Sequence, residues 1–294
     1  MNELHGDIIV KIAESGNFAR AARELGYTQA GISYIVNTVE KELGFRLFVR
    51  EYGGARLSPE GAQLLPYLRT LGNAKHQVEE KINDLRGLRC GKLRVLVFNS
   101  VSVHWLPGIL REYRRDYPGV AVELVSEEDS ARAEEMVFRQ DVDCGFFLHE
   151  PHRNDMDVIP LIRERLLAIL PPEIELQEQK FPIERLGEYP YIKMAFGEHT
   201  GISDIFRTRG IEPQVAYEMD NDYAAMAMVS AGHGFCIFPE LSLRNVPFPL
   251  RIMEFSEPVS RTVSIAVRDR STCSAAARQF MEYTHRWVGT HAQK

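Results

Sequence analysis

The sequence predicts a helical N-terminal domain, a long connecting helix and an α/β domain made of two lobes. Three patterns lead to this prediction. Residues 17–43 contain two short helical segments separated by a tight turn, apolar residues recur every three or four positions over 64–85, and strands alternate with helices from residue 92 onwards. A chain of 294 residues has room for two or three folding units of ordinary size.

The segment 17–43 is typical of a helix-turn-helix. Asn17 is a suitable N-cap for a helix over 18–25, and Gly26 stands where a left-handed residue is expected to end it. Thr28 caps the next helix, whose buried stripe consists of Ile32, Val36, Val39 and Leu43. The opposite face leaves small or polar side chains that could contact base edges in the major groove of DNA: Thr28, Gln29, Ala30, Ser33, Tyr34 and Asn37. On these residues alone, an ordinary helical hairpin with a solvated polar face remains the alternative.

A β-hairpin is expected directly after these helices. Gly53-Gly54 suits a tight two-residue turn between strands at 48–50 and 55–57. Such a hairpin would be a wing beside the helix-turn-helix, with Arg50 and Arg56 placed to meet phosphates.

Together these residues resemble the winged helix-turn-helix of LysR-type transcriptional regulators. The matching motifs form a set that is very specific: Gly16-Asn17-Phe18, Ala21-Ala22, Thr28-Gln29, Val39-Glu40, Glu42-Leu43-Gly44-Phe45-Arg46-Leu47-Phe48-Val49-Arg50 and Leu57-Ser58. Family members often carry Arg and Gln where this chain has Tyr34 and Ile35, and Pro or Ser in place of Ala30. The family's usual base and phosphate contacts therefore do not carry over to Tyr34 and Ile35.

The charge distribution agrees with a small nucleic-acid module on an acidic body. Residues 1–94 hold 14 Lys/Arg and 11 Asp/Glu, a net of +3, and the remainder has a net of −9, giving −6 for the chain. The first 60 residues alone are not basic. Affinity for DNA is therefore expected to depend on a few well-placed cations and on more than one module per assembly.

The cysteines and the N-terminus indicate a cytoplasmic protein. The cysteines are scattered without a Cys-x-x-Cys pair, which argues against a disulfide framework or a zinc site: Cys90, Cys144, Cys236 and Cys273. The N-terminus lacks the basic and apolar regions of a signal peptide, and no stretch approaches the roughly 20 apolar residues of a membrane span. No cofactor is expected.

A long helix is predicted from Ser58-Pro59-Glu60, an N-cap followed by a proline at the first helical position. A seam with spacings of four and three follows: Leu64, Leu68, Leu71, Lys75, Val78, Ile82 and Leu85. Such a seam normally faces a second helix, although packing on its own domain is the alternative. The resemblance implies antiparallel pairing of this helix between subunits, and hence a homodimer or homotetramer that presents two recognition helices to one DNA site.

From residue 91 the pattern becomes α/β. Strands are predicted over 92–98, 120–125, 142–148, 165–170, 191–194, 215–219, 235–238 and 262–267, and helices over 103–117 (interrupted near Pro107), 130–140, 202–209, 223–231 and 275–288. This alternation predicts a parallel sheet with helices on both faces, and two lobes with a cleft between them. The part of the chain from residue 91 onwards resembles the effector domain of LysR-type regulators, which is similar to type II periplasmic binding proteins. The predicted domains are a winged helix-turn-helix at 1–58, a linker helix at 59–89 and an effector domain at 90–294, with lobe I at 91–162 and 269–294 and lobe II at 163–268.

A ligand is expected beyond the carboxyl ends of the strands, at helix N-termini. Ser100 and Ser102 match the position of a frequent effector contact in the family, and could instead simply cap their helix. Free backbone N–H groups there could hold a carboxylate or another anion. The other candidates are Phe147, His149, His199, Thr200 and Asn221, while Asp222 is expected to be a helix cap rather than a ligand contact.

No motif of a catalytic site is present in the sequence. A Gly-x-Ser-x-Gly elbow, a Walker loop and a His-Glu-x-x-His motif are all missing, so the chain is not expected to be an enzyme. The resemblance implies a regulator that binds promoter DNA and a small effector, and leaves RNA polymerase open as a partner. The alternatives are a sensor whose N-terminal helices serve assembly only, and a metabolic enzyme with a fused helical domain.

Overall fold

A computed structural model of the chain describes residues 3–51, 54–85, 90–149, 151, 153–195 and 202–291. The chain forms two compact units, an N-terminal unit made chiefly of residues 1–88 and a C-terminal unit that contains nearly all of the remainder. Within the described residues, no helix is long and apolar enough to cross a bilayer.

The N-terminal unit contains four helices and one hairpin. Their bounds are α1 Glu3–Ser15, α2 Phe18–Leu25, α3 Gln29–Leu43, β1 Phe48–Glu51, β2 Gly54–Leu57 and α4 Pro59–Leu85. The predicted helix-turn-helix, hairpin and long helix are therefore confirmed. The predicted turn at Gly53-Gly54 is not, because Gly54 lies in β2 opposite Glu51, and Gly53 lies outside the described residues. One apolar core holds the unit together, and α1 supplies Ile8, Ile9 and Ile12 to it.

Local capping sets the ends of α2 and α3 as the sequence predicts. The Asn17 side chain accepts hydrogen bonds from the backbone N–H groups of Ala19 and Arg20, at 2.8 and 3.0 Å. Gly26 ends α2 with φ of 73°, and Gly44 ends α3 with φ of 78°. Both glycines adopt the left-handed conformation that side chains with a Cβ disfavour.

The hairpin is a two-stranded antiparallel ribbon that is fastened to the helices. Phe48 pairs with Leu57, and Glu51 pairs with Gly54. The backbone N–H of Ala55 donates to the carbonyl oxygen of Gly16 at 2.7 Å, so the second strand is bonded to the turn between α1 and α2.

Helix α4 uses its apolar seam in two different ways. Leu68 is buried in the core of the N-terminal unit, where α4 packs on α1. Further along, the seam is open: Leu71, Val78 and Ile82 are 46%, 59% and 42% exposed. The first part of the seam thus follows the alternative of packing on its own domain, and only the later part is left for a second helix.

The C-terminal unit contains nine strands and six α-helices within the described residues. The strands are β3 Cys90–Val97, β4 Gly119–Ser126, β5 Cys144–Phe147, β6 Asp157–Leu170, β7 Pro190–Met194, β8 Gln214–Met219, β9 Cys236–Pro239, β10 Arg251–Met253 and β11 Ser260–Val267. The helices are α5 Asn99–His104, α6 Leu106–Asp116, α7 Ser130–Phe138, α8 Ile202–Arg209, α9 Asp222–Ser230 and α10 Ala275–His291, with 3₁₀ helices at Ile183–Glu188 and Glu240–Leu243.

The main sheet is mixed, which corrects the prediction of a parallel one. Its strand order is β10-β6-β11-β5-β3-β4, with β9 also paired to β6. Strand β3 is parallel to β4 and β5, whereas β11 is antiparallel to β5 and β6. The prediction failed because β6 is a 14-residue strand whose charged middle, Arg163-Glu164-Arg165, hides its first half in the sequence.

The two lobes have separate cores, and β6 runs through both. Its first half pairs with β11 beside the cores of the first lobe, and its second half pairs with β9 and β10 in the second. Val263, Ile265 and Val267 of β11 belong to the core of the first lobe. The chain therefore returns to the first lobe before β11, and not at residue 268 as expected.

The predicted helix 103–117 is in fact two helices, α5 and α6. The break falls at Trp105, and Pro107 lies in the first turn of α6. Proline is tolerated there because its missing N–H would have no helical partner.

Candidate nucleic-acid interface and ligand cleft

The outer face of α3 presents polar side chains to solvent. Tyr34 is 74% exposed, and Gln29, Ala30 and Asn37 are exposed as well, while Ser33 is half-buried. Within the described residues, the side chains of Gln29, Tyr34 and Asn37 have no hydrogen-bond partner. Groups in this state can bond to an outside partner without first breaking an internal contact.

Thr28 differs from the other predicted contacts because its side chain is already used in the fold. Its Oγ1 accepts from the backbone N–H of Gly31 at 3.1 Å and so caps α3. Its hydroxyl proton remains a donor, so the residue could serve both the cap and a phosphate.

The inner face of α3 is fixed by packing and by one carboxylate. Ile32, Val36 and Val39 are buried. Glu40 accepts hydrogen bonds through Oε1 from the backbone N–H groups of Leu47 and Phe48, at 2.7 and 3.1 Å. The carboxylate thus ties the recognition helix to the hairpin, a role that the Val39-Glu40 motif did not reveal.

A serine and a glycine fix the junction of hairpin and α4. Ser58 Oγ donates to the Arg46 carbonyl oxygen at 2.6 Å and accepts from the Gly61 backbone N–H at 2.9 Å. A Cβ placed on Gly61 would lie 2.2 Å from the carbonyl oxygen of Leu47. Only glycine therefore fits this close approach of helix to chain.

The hairpin supplies one described cation. Arg56 is exposed in β2 and pairs across the ribbon with Val49. Arg50 lies in β1 opposite Ala55, and its side chain lies outside what the structure describes.

Sequence reasoning missed two further cations beside the start of α3. Arg20 and Arg23 of α2 line a concave surface together with Tyr27 and Gln29. Arg20 is paired with Glu24 through Nε at 3.0 Å, whereas Arg23 is exposed and forms no ion pair within the described residues. Their spacing of three along one exposed helix face was the signal that could have identified them.

In the C-terminal unit, a cavity opens between the two lobes. Its empty volume is about 530 Å³ when the open solvent at its mouth is included, and the space in which a water-sized sphere fits is about 60 Å³. The lining residues come from both lobes: Phe98, Asn99, Ser100, Glu128, Leu148, Met194, Ile202, Asp222, Ile237, Phe238, Pro239, Ser242 and Arg261.

Ser100 is placed in this cavity as predicted, but Ser102 is not. Ser100 is only 5% exposed, and its hydroxyl has no hydrogen-bond partner among the described residues. Ser102 donates through Oγ to the Phe98 carbonyl oxygen at 2.9 Å and is absent from the lining. Ser102 therefore serves its own helix, which is the alternative that the sequence left open.

Two carboxylates of the cleft converge on Asn99. Its backbone N–H donates to Glu128 Oε1 at 3.0 Å, and its Nδ2 donates to Asp222 Oδ2 at 3.2 Å. Burial raises the pKa of both carboxyls above the ordinary range, and the negative charge of Asp222 adds to the rise in the pKa of Glu128. The anion position predicted at the start of α5 is thus filled by the chain's own Glu128.

A buried ion pair forms one wall of the cleft. Arg261 Nε lies 3.0 Å from Glu164 Oε2, and both side chains are about 5% exposed. Glu164 Oε1 also accepts from the backbone N–H of Leu241 at 2.7 Å, which fixes the 3₁₀ helix that follows β9.

Besides Ser102, three predicted ligand contacts are absent from the cavity lining: Phe147, His149 and Asn221. Phe147 is buried in a core cluster with Val137 and Ala266, and His149 Nε2 lies 3.8 Å from Glu134. Leu148, the first residue after the end of β5, lines the cavity instead.

Asn221 is the third. Its Oδ1 accepts from the Ala224 backbone N–H at 2.9 Å, so Asn221 is the cap of α9. Asp222, expected to be the cap, lines the cavity instead. His199 and Thr200 lie outside the described residues.

The cavity continues along α5 into a second concavity that is lined by a histidine and an arginine. Asn99, Ser100, Asp222 and Ser242 line both, and the second also includes His104 and Arg244. Burial, together with the charge of Arg244, lowers the pKa of His104.

Comparison with known proteins finds the same two-part organisation. The family described as "Bacterial regulatory helix-turn-helix protein, lysR family" matches residues 5–62, and "LysR substrate binding domain" matches residues 86–289. The chain is 27% identical to the "Uncharacterized HTH-type transcriptional regulator YvbU" of Bacillus subtilis (strain 168), covering 96% of this chain and 97% of that protein. It is 25% identical to the "HTH-type transcriptional activator CmpR" of Synechocystis sp., covering 94% and 92%.

A solved structure has the same fold. The structure described as full-length CbnR complexed with its target DNA superposes with a TM-score of 0.67 at 21% identity, covering 98% of this chain and all of that one. At this identity the likeness establishes the fold alone.

Proposed function

The chain belongs to the LysR family of DNA-binding transcriptional regulators, and from this premise we propose how it acts. It binds promoter DNA through α3 as a dimer or a dimer of dimers, and it changes that binding when a small molecule occupies the cleft between the two lobes. Gln29, Ala30, Ser33, Tyr34 and Asn37 are its groove contacts, and Thr28, Arg50 and Arg56 contact phosphates.

The observation that carries this proposal is the state of the polar side chains on α3. They are exposed and unbonded on a helix whose other face is fixed by Ile32, Val36 and the Glu40 carboxylate. A rigid helix with free donors and acceptors suits direct readout of base edges. CbnR, a protein of the same fold, has been solved in complex with its target DNA, which supports DNA binding by this chain.

Dimerisation is supported by α4. Leu71, Val78 and Ile82 form an exposed apolar stripe at spacings of seven and four on one helix face. A matching stripe on a second copy would bury these side chains and bring two recognition helices to one two-fold site. A regulator with few cations in each module gains affinity from such pairing.

Sensing follows from a population shift. A ligand that contacts both lobes at once prefers the lobe arrangement that fits it. The ligand then biases the assembly toward one spacing of its recognition helices. The chain acts by binding, and we expect no turnover of the ligand.

The test is a titration of duplex DNA from upstream of the protein's own gene, followed by fluorescence anisotropy. Gln29→Ala combined with Asn37→Ala should reduce affinity for this DNA at least about 30-fold and leave the melting temperature unchanged. Two outcomes would favour a sensor whose N-terminal helices serve assembly only. In the first, the parent protein does not bind the DNA; in the second, the double variant binds it as tightly as the parent.

The sensing half needs its own variant. Ser100→Ala should blunt the effector response and leave DNA affinity without effector unchanged. A normal response in Ser100→Ala removes Ser100 from the ligand site.

A further inference from the structure

We propose that the ligand of the interlobe cleft carries a positively charged nitrogen, a primary ammonium or an amidinium, which lies between Glu128 and Asp222. The proposal rests on the proposed function, because it assigns a chemical class to the effector of that same cleft. It replaces the expectation of a carboxylate or another anion.

The first support is the charge of the cavity walls. Among the described lining residues, Glu128 and Asp222 are acidic, and Arg261 is basic. Arg261 is paired with Glu164 at 3.0 Å, and its charge also acts on Glu128 and Asp222, so one guanidinium is shared among three carboxylates. The two remaining carboxylates therefore decide which charge a ligand must bring, since an anion placed beside them would be repelled and partly desolvated at once.

The second support is the position of the two carboxylates. Both are bonded to Asn99, Glu128 through the backbone N–H at 3.0 Å and Asp222 through the side-chain amide at 3.2 Å. Glu128 belongs to the first lobe and Asp222 begins α9 in the second, so the pair faces across the cleft. A cationic nitrogen between them would bond to both lobes and relieve their mutual repulsion.

The third support is that the start of α5 is already next to an acidic group. The Asn99 backbone N–H, one of the donors of the first turn, donates to Glu128. An anionic ligand at this helix terminus would lie beside the Glu128 carboxylate or would have to displace it, and both are unfavourable.

Ser100 points to a ligand independently of the acids. The residue is 5% exposed and lines the cavity, and its hydroxyl has no hydrogen-bond partner among the described residues. A hydroxyl in this state can bond to a ligand N–H or hydroxyl without first breaking a bond within the protein. The apolar wall formed by Phe98, Leu148 and Ile237 then accommodates the carbon skeleton of an amine.

The experiment measures thermal unfolding of the full chain with matched small probes. The cationic probes are butylamine, 1,4-diaminobutane and agmatine, and their anionic counterparts are butyrate and succinate, each at 10 mM and constant ionic strength. At least one amine should raise the melting temperature by about 2–4 °C, and the two carboxylates should not.

Substitutions in the cleft show whether the amine-dependent rise in melting temperature comes from binding between Glu128 and Asp222. Asp222→Asn and Glu128→Gln should each reduce the amine-dependent rise at least threefold, and Glu173→Gln, an exposed acid outside the cavity, should keep it. Absence of a rise with every amine, or a rise that survives both cleft variants, overturns the proposal.

The two carboxylate probes show whether the cationic class of ligand or the proposed regulatory function has failed. If succinate or butyrate stabilises the parent but not Ser100→Ala, the cleft is the effector site and the cationic class is wrong. If no probe of either charge stabilises the chain while DNA binding is intact, the cationic class also fails and the DNA-binding role stands.

Discussion

The recognition helix and the interlobe cleft use polar side chains in opposite ways. On α3 the side chains of Gln29, Tyr34 and Asn37 stand in solvent without partners. In the cleft, Glu164 and Arg261 are buried and paired with each other, and the half-buried carboxylates of Glu128 and Asp222 are both hydrogen-bonded to Asn99. The donors and acceptors of α3 are therefore available to an outside partner, whereas most of those in the cleft already form hydrogen bonds within the protein.

Because of this difference, substitutions on α3 should change the affinity for a partner, and substitutions in the cleft should change the stability of the fold. Removing an exposed and unbonded side chain leaves no unsatisfied group behind, so stability is spared and only the partner is affected. Removing one member of a buried polar pair leaves the other uncompensated, so stability falls before any ligand is considered. Substitutions in the two regions should therefore separate into two classes, and four predictions test that separation.

The largest expected effect is on stability, from Arg261→Ala. The substitution leaves Glu164 charged, about 5% exposed and without its partner at 3.0 Å. The free energy of unfolding should fall by about 3–5 kcal/mol, measured by urea denaturation.

Two control variants show whether the uncompensated charge is the cause. Adding Glu164→Gln to Arg261→Ala removes the charge but keeps an acceptor for the Leu241 backbone N–H, and should restore part of the loss. Arg207→Ala breaks an exposed pair with Asp204 and should cost less than about 1 kcal/mol. An Arg261→Ala variant as stable as the parent would contradict the distinction between the regions.

The next effect belongs to α3 and is on DNA affinity alone. Gln29→Ala removes an exposed side chain from the first residue of the helix. DNA affinity should fall by about 1–3 kcal/mol, a 5- to 150-fold change in anisotropy titrations, and stability should stay within about 0.5 kcal/mol. Equal losses on the cognate DNA and on scrambled DNA would mean that Gln29 does not contact bases.

Prediction from sequence worked well for α2 and α3 because the determinants of these helices are local. Asn17, Gly26 and Thr28 act on neighbours within five residues, and the stripe of Ile32 and Val36 follows the helical period. The role of Glu40 was missed because its partners lie seven and eight residues away, beyond the end of the helix.

The cleft was less predictable because its residues are distant in the chain. Ser100 was found, since it stands where a strand ends and a helix begins. Glu128 and Asp222 meet at Asn99 from sequence separations of 29 and 123, which no local pattern encodes. Two of the errors, Phe147 for Leu148 and Asn221 for Asp222, are displacements by one residue.

A smaller effect is expected from Arg56→Ala in the hairpin. Arg56 is exposed on β2 and is proposed to contact a phosphate. Affinity should fall by similar factors on specific and scrambled DNA, and the slope of log K against log salt should decrease by about one. Arg286→Ala, an exposed cation of α10, is the matched control and should leave the slope unchanged. A loss confined to the specific sequence would assign Arg56 to base readout instead.

The smallest expected effect is a gain of stability from Glu128→Gln. The direction of this effect follows from the way in which the stability of the parent depends on pH. Burial and the charge of Asp222 raise the folded-state pKa of Glu128 above its unfolded value, while the Asn99 backbone N–H and Arg261 oppose that rise. Between these two pKa values the folded chain binds more protons than the unfolded chain, so the parent loses stability as pH rises through this window. Glutamine keeps an acceptor for Asn99 and carries no charge. The variant should therefore melt about 1–2 °C above the parent at pH 7.5, and the difference should vanish near pH 4. A variant that melts lower at pH 7.5 would show that the Glu128 carboxylate is stabilising as a charge, and the cleft would then already contain its own counterion.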